Sequence, residues 1–303
     1  MTGKELNEYV KATELMVVPG KVAQVSQFSS FLQKLPLKWQ KGIAARGAKT
    51  NPYMGFIVEP YSFFLSYEVT DIDAAQKLLP EGYRIVPTSM FAESRPRPSV
   101  IIGAFNIHTS VFWGSRVEVY LIAENIKTGL LSWIIVTYET NTNSFDPGQG
   151  FIGATTSRSV VTTSYRGDVI VDVEGAESGH RIALSAPVSA GTLAALNQRL
   201  WIEGNLSVDY GSTLNDGPSE PFGLIFDPRE MESALMIPLE KVSVDINTLC
   251  GTYTAKEPYE AGCFPFAQHF VTTSMPKGTN MKNAQDLEDA ALRFKDGTLS
   301  KGR

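Results

Sequence analysis

The sequence predicts a β-dominated α+β fold, an antiparallel barrel-like or strongly bent sheet with peripheral helices. Three observations carry that expectation. Short runs with period-two alternation recur from Tyr61 onward, punctuated by Gly, Pro, Asn and Asp. Helical patterning is confined to the two ends and a few short stretches. No repeat period and no composition shift marks a second domain. The chain has 303 residues, 43% hydrophobic and 19% charged, enough to bury a sizeable core. Residues 1–55 read as a helical lead-in, 56–276 as the β domain, and 277–303 as a terminal helix and tail.

Taken in order, Glu5 to Met16 is a helix candidate that stops near Pro19 and Gly20. Val22 to Trp39 is a second, broken at Pro36, and Arg46 to Pro52 reads as loop. Phe63, Leu65, Tyr67 and Val69 alternate as in a strand. Thr70 or Asp71 then caps a helix that Pro80 and Gly82 end. Tyr83 to Val86 is extended, and the two prolines of Arg95 to Pro98 make that stretch a loop. Val100 to His108 and Val117 to Glu124 are strands, and Asn125 to Gly129 turns into a third, Leu130 to Thr140. Asn141 to Gly150 is a polar loop. Val160 to Thr163, Asp168 to Val173 and Arg181 to Leu184 are strands, and Thr192 to Leu200 has helical composition. Leu239 to Ile246 and Phe266 to Thr273 close the sheet, and Asn283 to Phe294 is the terminal helix, followed by a tail.

Several function classes are disfavoured. The net charge of −5 and the lack of a basic patch comparable to a nucleic-acid footprint argue against nucleic acid. A P-loop and a dinucleotide fingerprint are both missing. No run is long enough to span a bilayer and the start has no signal-peptide core, so a cytoplasmic protein with no membrane partner is expected. Cys250 and Cys263 are then expected as free thiols, with a disulfide as the alternative. His108, His180 and His269 lack metal-ligand spacing, so no metal is expected, and no cofactor is implied. The remaining partner is a small molecule; homo-oligomerisation stays open.

The run from Leu65 through Ala75 to Leu78-Leu79-Pro80-Glu81-Gly82 resembles the opening of acetoacetate decarboxylase-like domains. So does the order that follows: an apolar strand, a Gly-x-x-x-Glu strand from Gly114 to Glu118, an aromatic strand ending at Thr137-Tyr138, and Gly148-Gln149-Gly150. Asp168 to Leu184 and Pro238 to Val242 resemble later parts, so the likeness runs over roughly residues 60–275. It implies an acetoacetate decarboxylase-like β-barrel. It also implies chemistry on a β-keto acid through a lysine imine, in which a second lysine depresses the pKa of the first, an activation mode known for acetoacetate decarboxylase. The two lysine positions fall at Thr156 and Ser157, and no lysine lies between Lys127 and Lys241. The resemblance carries over the glutamate at Glu118; the family's other acidic position falls near Gly103 and its arginine near Tyr61.

Arg116, Glu118 and Tyr120 share one face of a strand, which is either a solvated outer face or a polar lining. Arg158, next to the missing lysines, is a candidate carboxylate ligand or an ordinary surface arginine. Tyr138 and Tyr165 are candidate hydroxyl donors or core aromatics, Trp113 a pocket lid or a loop anchor, and His108 a base or a structural histidine. Glu59, Glu68 and Glu139 read as surface carboxylates. The functional expectation is a lyase, decarboxylase-like enzyme or cyclase/isomerase that acts on a carbonyl compound, in the setting of secondary metabolism, by non-covalent acid–base chemistry. Glu118 and Arg116 would be catalytic; Tyr120, Arg158, Tyr138, His108 and Trp113 would bind substrate. Glu118→Gln is then expected to abolish turnover with little change in melting. The alternative is a non-catalytic ligand-binding module on the same fold.

Overall fold

The computed structural model describes residues 1–50, 53–109, 111–215, 217–273 and 281–301. Three helices come first: α1 (Gly3–Glu14), α2 (Pro19–Leu32) and α3 (Leu37–Thr50). Thr2 and Glu5 form a reciprocal capping box on α1. The break before Leu37 falls at Pro36 as expected, but α3 runs on to Thr50, where a loop was expected from Arg46. Ala44, Ala45, Arg46, Ala48 and Lys49 are all strong helix formers, and their propensity outweighs Gly42 and Gly47.

The sheet strands follow: β1 (Tyr53–Val58), β2 (Ser62–Val69), then helix α4 (Ile72–Gln76), β3 (Tyr83–Ile85), β4 (Ser99–Thr109), β5 (Trp113–Asn125) and β6 (Leu131–Thr140). Asp71 caps α4 by accepting from the Ala74 N–H at 3.0 Å. A small hairpin, β7 (Ser144–Asp146) and β8 (Gly150–Ile152), lies within the expected polar loop. β9 (Thr156–Thr163), β10 (Asp168–Gly175) and β11 (Arg181–Pro187) come next.

The stretch expected to be helical at Thr192 instead forms β12 (Thr192–Ala195), and a π-helical turn (Arg199–Glu203) leads into α5 (Gly204–Leu206). Ala and Leu favour a helix locally, but pairing with β14 (Ser233–Met236) overrides that preference. Three further strands are β13 (Val208–Tyr210), β15 (Ser243–Asn247) and β16 (Thr254–Phe264). β17 (Gln268–Thr273) completes the sheet, and α6 (Ala284–Lys301) continues past Phe294, where a tail was expected. The expected boundary at 276/277 lies outside the described residues.

The large sheet is ordered β12-β14-β16-β2-β4-β5-β6-β13, with β1 on β4, β17 on β1 and β3 on β5. Its neighbours are antiparallel except β13 on β6. The single strand β4 pairs with β2 over its first half and with β1 over its second, so β1 and β2 are two arms of one bent strand. The bend is at Glu59-Pro60-Tyr61, where Tyr61 takes φ 72°. β16 and β17 bend with them. The sheet is therefore strongly bent, but the pairing path is open among the described strands, so the closed barrel is not found.

A second sheet, β15-β11-β10-β9, packs on one face of the first. Val169, Val171 and Val173 of β10 with Ile182 and Leu184 of β11 meet Val100, Ile102, Val117, Val119 and Leu121. On the opposite face, Phe64, Ile101, Tyr120, Ile122 and Trp133 pack beneath Leu200, Trp201 and Phe264. Both faces of β4, β5 and β6 are thus buried, which explains their near-continuous apolar runs. Helices α1 and α6 close the β17 end, where the buried Tyr9 hydroxyl donates to the carbonyls of Ile225 and His269, each at 2.9 Å.

Candidate functional site

With both faces of β5 covered, its polar stripe cannot be a solvated surface. Arg116, Glu118 and Tyr120 are 6%, 7% and 9% exposed, on the face that holds the aromatic core. Arg116 Nε donates to Glu118 Oε1 at 2.6 Å, and Arg116 Nη1 donates to Ser144 Oγ at 3.0 Å. The Tyr120 hydroxyl donates to Glu118 Oε2. Directly across from Glu118 stand Gly103 on β4 and Tyr138 on β6. A side chain at Gly103 would collide with the Phe64 ring, so no acid can stand there.

Tyr138 reaches this face through a backbone irregularity. Ile134 and Val136 point toward the second sheet, so strict alternation would send Tyr138 the same way. The register shifts where Val119 pairs with Thr137 and Tyr120 with Ile135, which leaves Val136 as an extra residue. That bulge returns Tyr138 to the Glu118 side. Its ring then lies under the Arg116 guanidinium, 4.3 Å from centroid to Cζ, and its hydroxyl donates to Asp146 Oδ1 at 2.9 Å.

Asp146 and Ser144 come from β7, within the loop that sequence reading passed over. Their alternation with Phe145 is the only signal that this polar stretch has an inward face. Asp146 is 1% exposed, and its Oδ2 is buried with no hydrogen-bond partner. Burial pushes its carboxyl up to about 6; the Tyr138 hydroxyl and Arg116 pull the other way, and Glu118 adds to the rise. Burial, reinforced by Glu118, raises the Tyr120 phenol, and burial with Asp146 raises those of Tyr138 and Tyr210. Burial opposes the Arg116 charge, yet Glu118 and the neighbouring tyrosines hold its pKa above the ordinary arginine value. The result is a fixed cation, phenols that keep their protons, and one carboxyl poised to exchange a proton near neutrality.

The other sequence candidates lie elsewhere. His108 and Trp113 sit at the far end of β4 and β5 on the opposite face, stacked at 4.8 Å between ring centroids. They line an open cleft of about 460 Å³ with Glu59, Asn106, Ser115 and Ser159. His108 Nε2 is 2.5 Å from Glu59 Oε1. Arg158 is exposed on β9 and pairs with Asp172 at 3.2 Å, away from the buried cluster. Thr156 and Ser157 stand on the same edge strand, where Thr156 donates to the Thr140 carbonyl and Ser157 to that of Glu174. Tyr165 is 92% exposed in a turn and lines no site. Glu139, expected at the surface, is 3% exposed and binds Ser178 and His180, because the bulge that turns Tyr138 one way turns Glu139 toward the second sheet. Both cysteines are free thiols, and burial raises Cys263 to about 12. Among the described residues no group of three or more His, Cys, Asp or Glu side chains has metal-binding geometry.

No family model matches the sequence, and no curated protein matches it. Among solved structures, the chain is similar to an acetoacetate decarboxylase from Legionella pneumophila subsp. pneumophila str. Philadelphia 1. The identity is 10% and the TM-score 0.47, over 75% of this chain and 87% of the other.

Proposed function

We propose that the protein is an acid–base enzyme of small carbonyl compounds, lyase-like or isomerase-like, that works without a covalent imine at the Arg116–Glu118–Tyr138–Asp146 cluster. The observation that carries this reading is the buried Asp146 Oδ2, which has no partner although the groups around it are hydrogen-bonded. Glu139 Oε2 is also buried without a partner, but Asp146 differs in that burial raises its carboxyl to about 6 while Arg116 and the Tyr138 hydroxyl act on it. Glu118 and Ser144 hold Arg116 by Nε and Nη1, which leaves Nη2 to meet a carboxylate or enolate oxygen. Asp146 would then take or return the proton at the adjacent carbon, with Glu118 as the anchor of the arginine. Loss of carbon dioxide from a β-keto acid fits such a site: the C–C electrons pass into an enolate paired with Arg116, and Asp146 in its acid form protonates the carbon.

The experiment is a turnover screen of short β-keto acids and 1,3-dicarbonyl compounds, with Asp146→Asn as the control. Loss of about 10²–10⁴-fold in kcat for that variant is expected for a lost acid–base group. Borohydride quenching during turnover is expected to leave the intact mass unchanged. A stable adduct on any lysine, or full activity in Asp146→Asn, would overturn the mechanism.

A second reading has one observation in its favour. The half-exposed Trp113, stacked on His108 in an open polar cleft, fits a ligand-binding surface. Trp113→Ala would remove binding there and leave turnover at the buried cluster intact.

A further inference from the structure

The segment from Leu15 to Val58 contains Lys21, Lys34, Lys38, Lys41, Arg46 and Lys49 and no acidic residue, in a chain whose net charge is −5. The same segment holds a concentration of exposed large apolar side chains. Leu15, Phe28, Phe31 and Trp39 are 66%, 63%, 60% and 67% exposed. Val18 and Ile43 add to them.

The placement of these residues follows from how the two helices rest on the body of the protein. Both α2 and α3 lie on β8. In α3 the inward residues are Leu37 and Gln40; Gln40 accepts from the Phe151 N–H at 2.6 Å, and Leu37 crowds Gly150. In α2 the buried residue is Ser29. Phe28 and Phe31 flank it on exposed positions, and on α3 Trp39, Ile43 and Arg46 recur at helical spacing on the exposed side. Lys21, Lys34, Lys38 and Arg46 form no ion pair among the described residues.

We propose that the α2–α3 arm is a docking surface for an anionic lipid bilayer. Exposed aromatic and aliphatic side chains interleaved with lysine and arginine match the interfacial zone of such a bilayer, where rings enter the headgroup region and cations meet lipid phosphates and carboxylates. Charge complementarity selects this occupant: an acid-free basic segment is matched by a negative surface, and a second copy of the chain would bring the same six cations against themselves. No described helix is long and apolar enough to cross a membrane. Gln40 ties the arm to the hairpin that supplies Ser144 and Asp146, so docking sets the cluster close to the lipid surface.

The test is co-sedimentation of the full chain with vesicles of phosphatidylcholine alone and with about 30% phosphatidylserine, at low and high salt. Binding to the serine-containing vesicles that weakens with salt is expected. The triple variant Lys34→Gln/Lys38→Gln/Arg46→Gln is expected to lose about a hundredfold in partitioning, from about fivefold per basic side chain. Phe28→Ser/Phe31→Ser/Trp39→Ser is expected to lose binding as well, even at low salt. All six side chains lie on exposed positions, so melting curves should match the parent and exclude misfolding as the cause. No binding of the parent to anionic vesicles, or unchanged binding in both variants, overturns the proposal. So does a concentration-dependent dimer that the Phe/Trp variant abolishes while vesicles capture nothing, since that outcome assigns the face to a second copy.

Discussion

Glu118→Gln separates stability from chemistry at the centre of the cluster. In the parent, Glu118 holds Arg116 Nε at 2.6 Å through one oxygen and receives the Tyr120 hydroxyl on the other, with both charged groups almost wholly buried. Glutamine keeps one acceptor, so either Arg116 or Tyr120 is left facing an N–H. More costly still, the Arg116 charge loses its closest counter-ion while only 6% exposed. Removing one partner of a buried ion pair costs about 3–5 kcal/mol, and the retained amide oxygen places the expectation near about 3 kcal/mol. For a chain of 303 residues, whose melting entropy is about 0.6 kcal/mol/K by the usual per-residue value, that is a fall of about 5 °C. This revises the expectation from sequence, which held that melting would change little, because a shared strand face does not disclose that Arg116 is buried with Glu118 as its charge partner. Urea unfolding near neutral pH measures the loss, with Arg116→Met/Glu118→Leu as the paired control in which no charge remains to be orphaned. The double variant is expected to recover most of the stability. A single variant that loses less than about 1 kcal/mol at unchanged m would refute the reasoning, since Arg116 would then be solvated or paired elsewhere.

Two further outcomes follow from the same geometry. Asp146 has a folded-state pKa of about 6 against an ordinary 3.8, so its contribution to stability is fully present below about pH 3.8 and is lost as pH rises through about 6. Asp146→Asn should therefore be more stable than the parent near pH 8, by on the order of 3 kcal/mol, with the difference vanishing near pH 4; equal stabilities across that range in urea titrations would show that the carboxyl is not perturbed. Gly204→Ala should destabilise by about 1–3 kcal/mol, because its methyl would meet the indole of the buried Trp133, and an unchanged melting curve would mean that α5 can shift away from β6.

How much of this was legible in the sequence depends on whether the information was local. Alternation in Phe63 to Val69, the Asp71 cap, and the turn from Asn125 to Gly129 are written in adjacent residues, and each is found where expected. β16 was missed because Lys256, Glu257 and Pro258 disguise it; the register shifts twice around Pro258 to accommodate the ring, which no local pattern announces. β12 was read as helix because its Ala and Leu content is helical until β14 is known to lie beside it. For the site, parity on β5 correctly grouped Arg116, Glu118 and Tyr120, since that segment is regular over those residues.

Parity fails one strand later, and the failure determines what the site can do. Had β6 been regular, Tyr138 would have joined Ile134 and Val136 against the second sheet, and Glu139 would have faced Arg116 in its place. Two glutamates on one arginine would have made an over-charged, hydrated site. The extra residue at Val136 exchanges them: Tyr138 brings a neutral donor and an aromatic face to Arg116, and Glu139 goes to Ser178 and His180. The Tyr138 hydroxyl then needs an acceptor in the interior, which Asp146 supplies. The Tyr138 hydrogen bond that partly offsets the burial-raised carboxyl of Asp146 is thus a consequence of one inserted residue on a neighbouring strand. Deleting Val136 removes the extra residue itself: Ile135 and Thr137 then alternate directly, keep Tyr120 and Val119 as partners, and leave Tyr138 on the Glu118 side. In that variant the Asp146 environment, followed by the pH dependence of unfolding, should match the parent's. If the parent profile is lost, parity alone does not place Tyr138, and the link from backbone register to acid–base chemistry is broken.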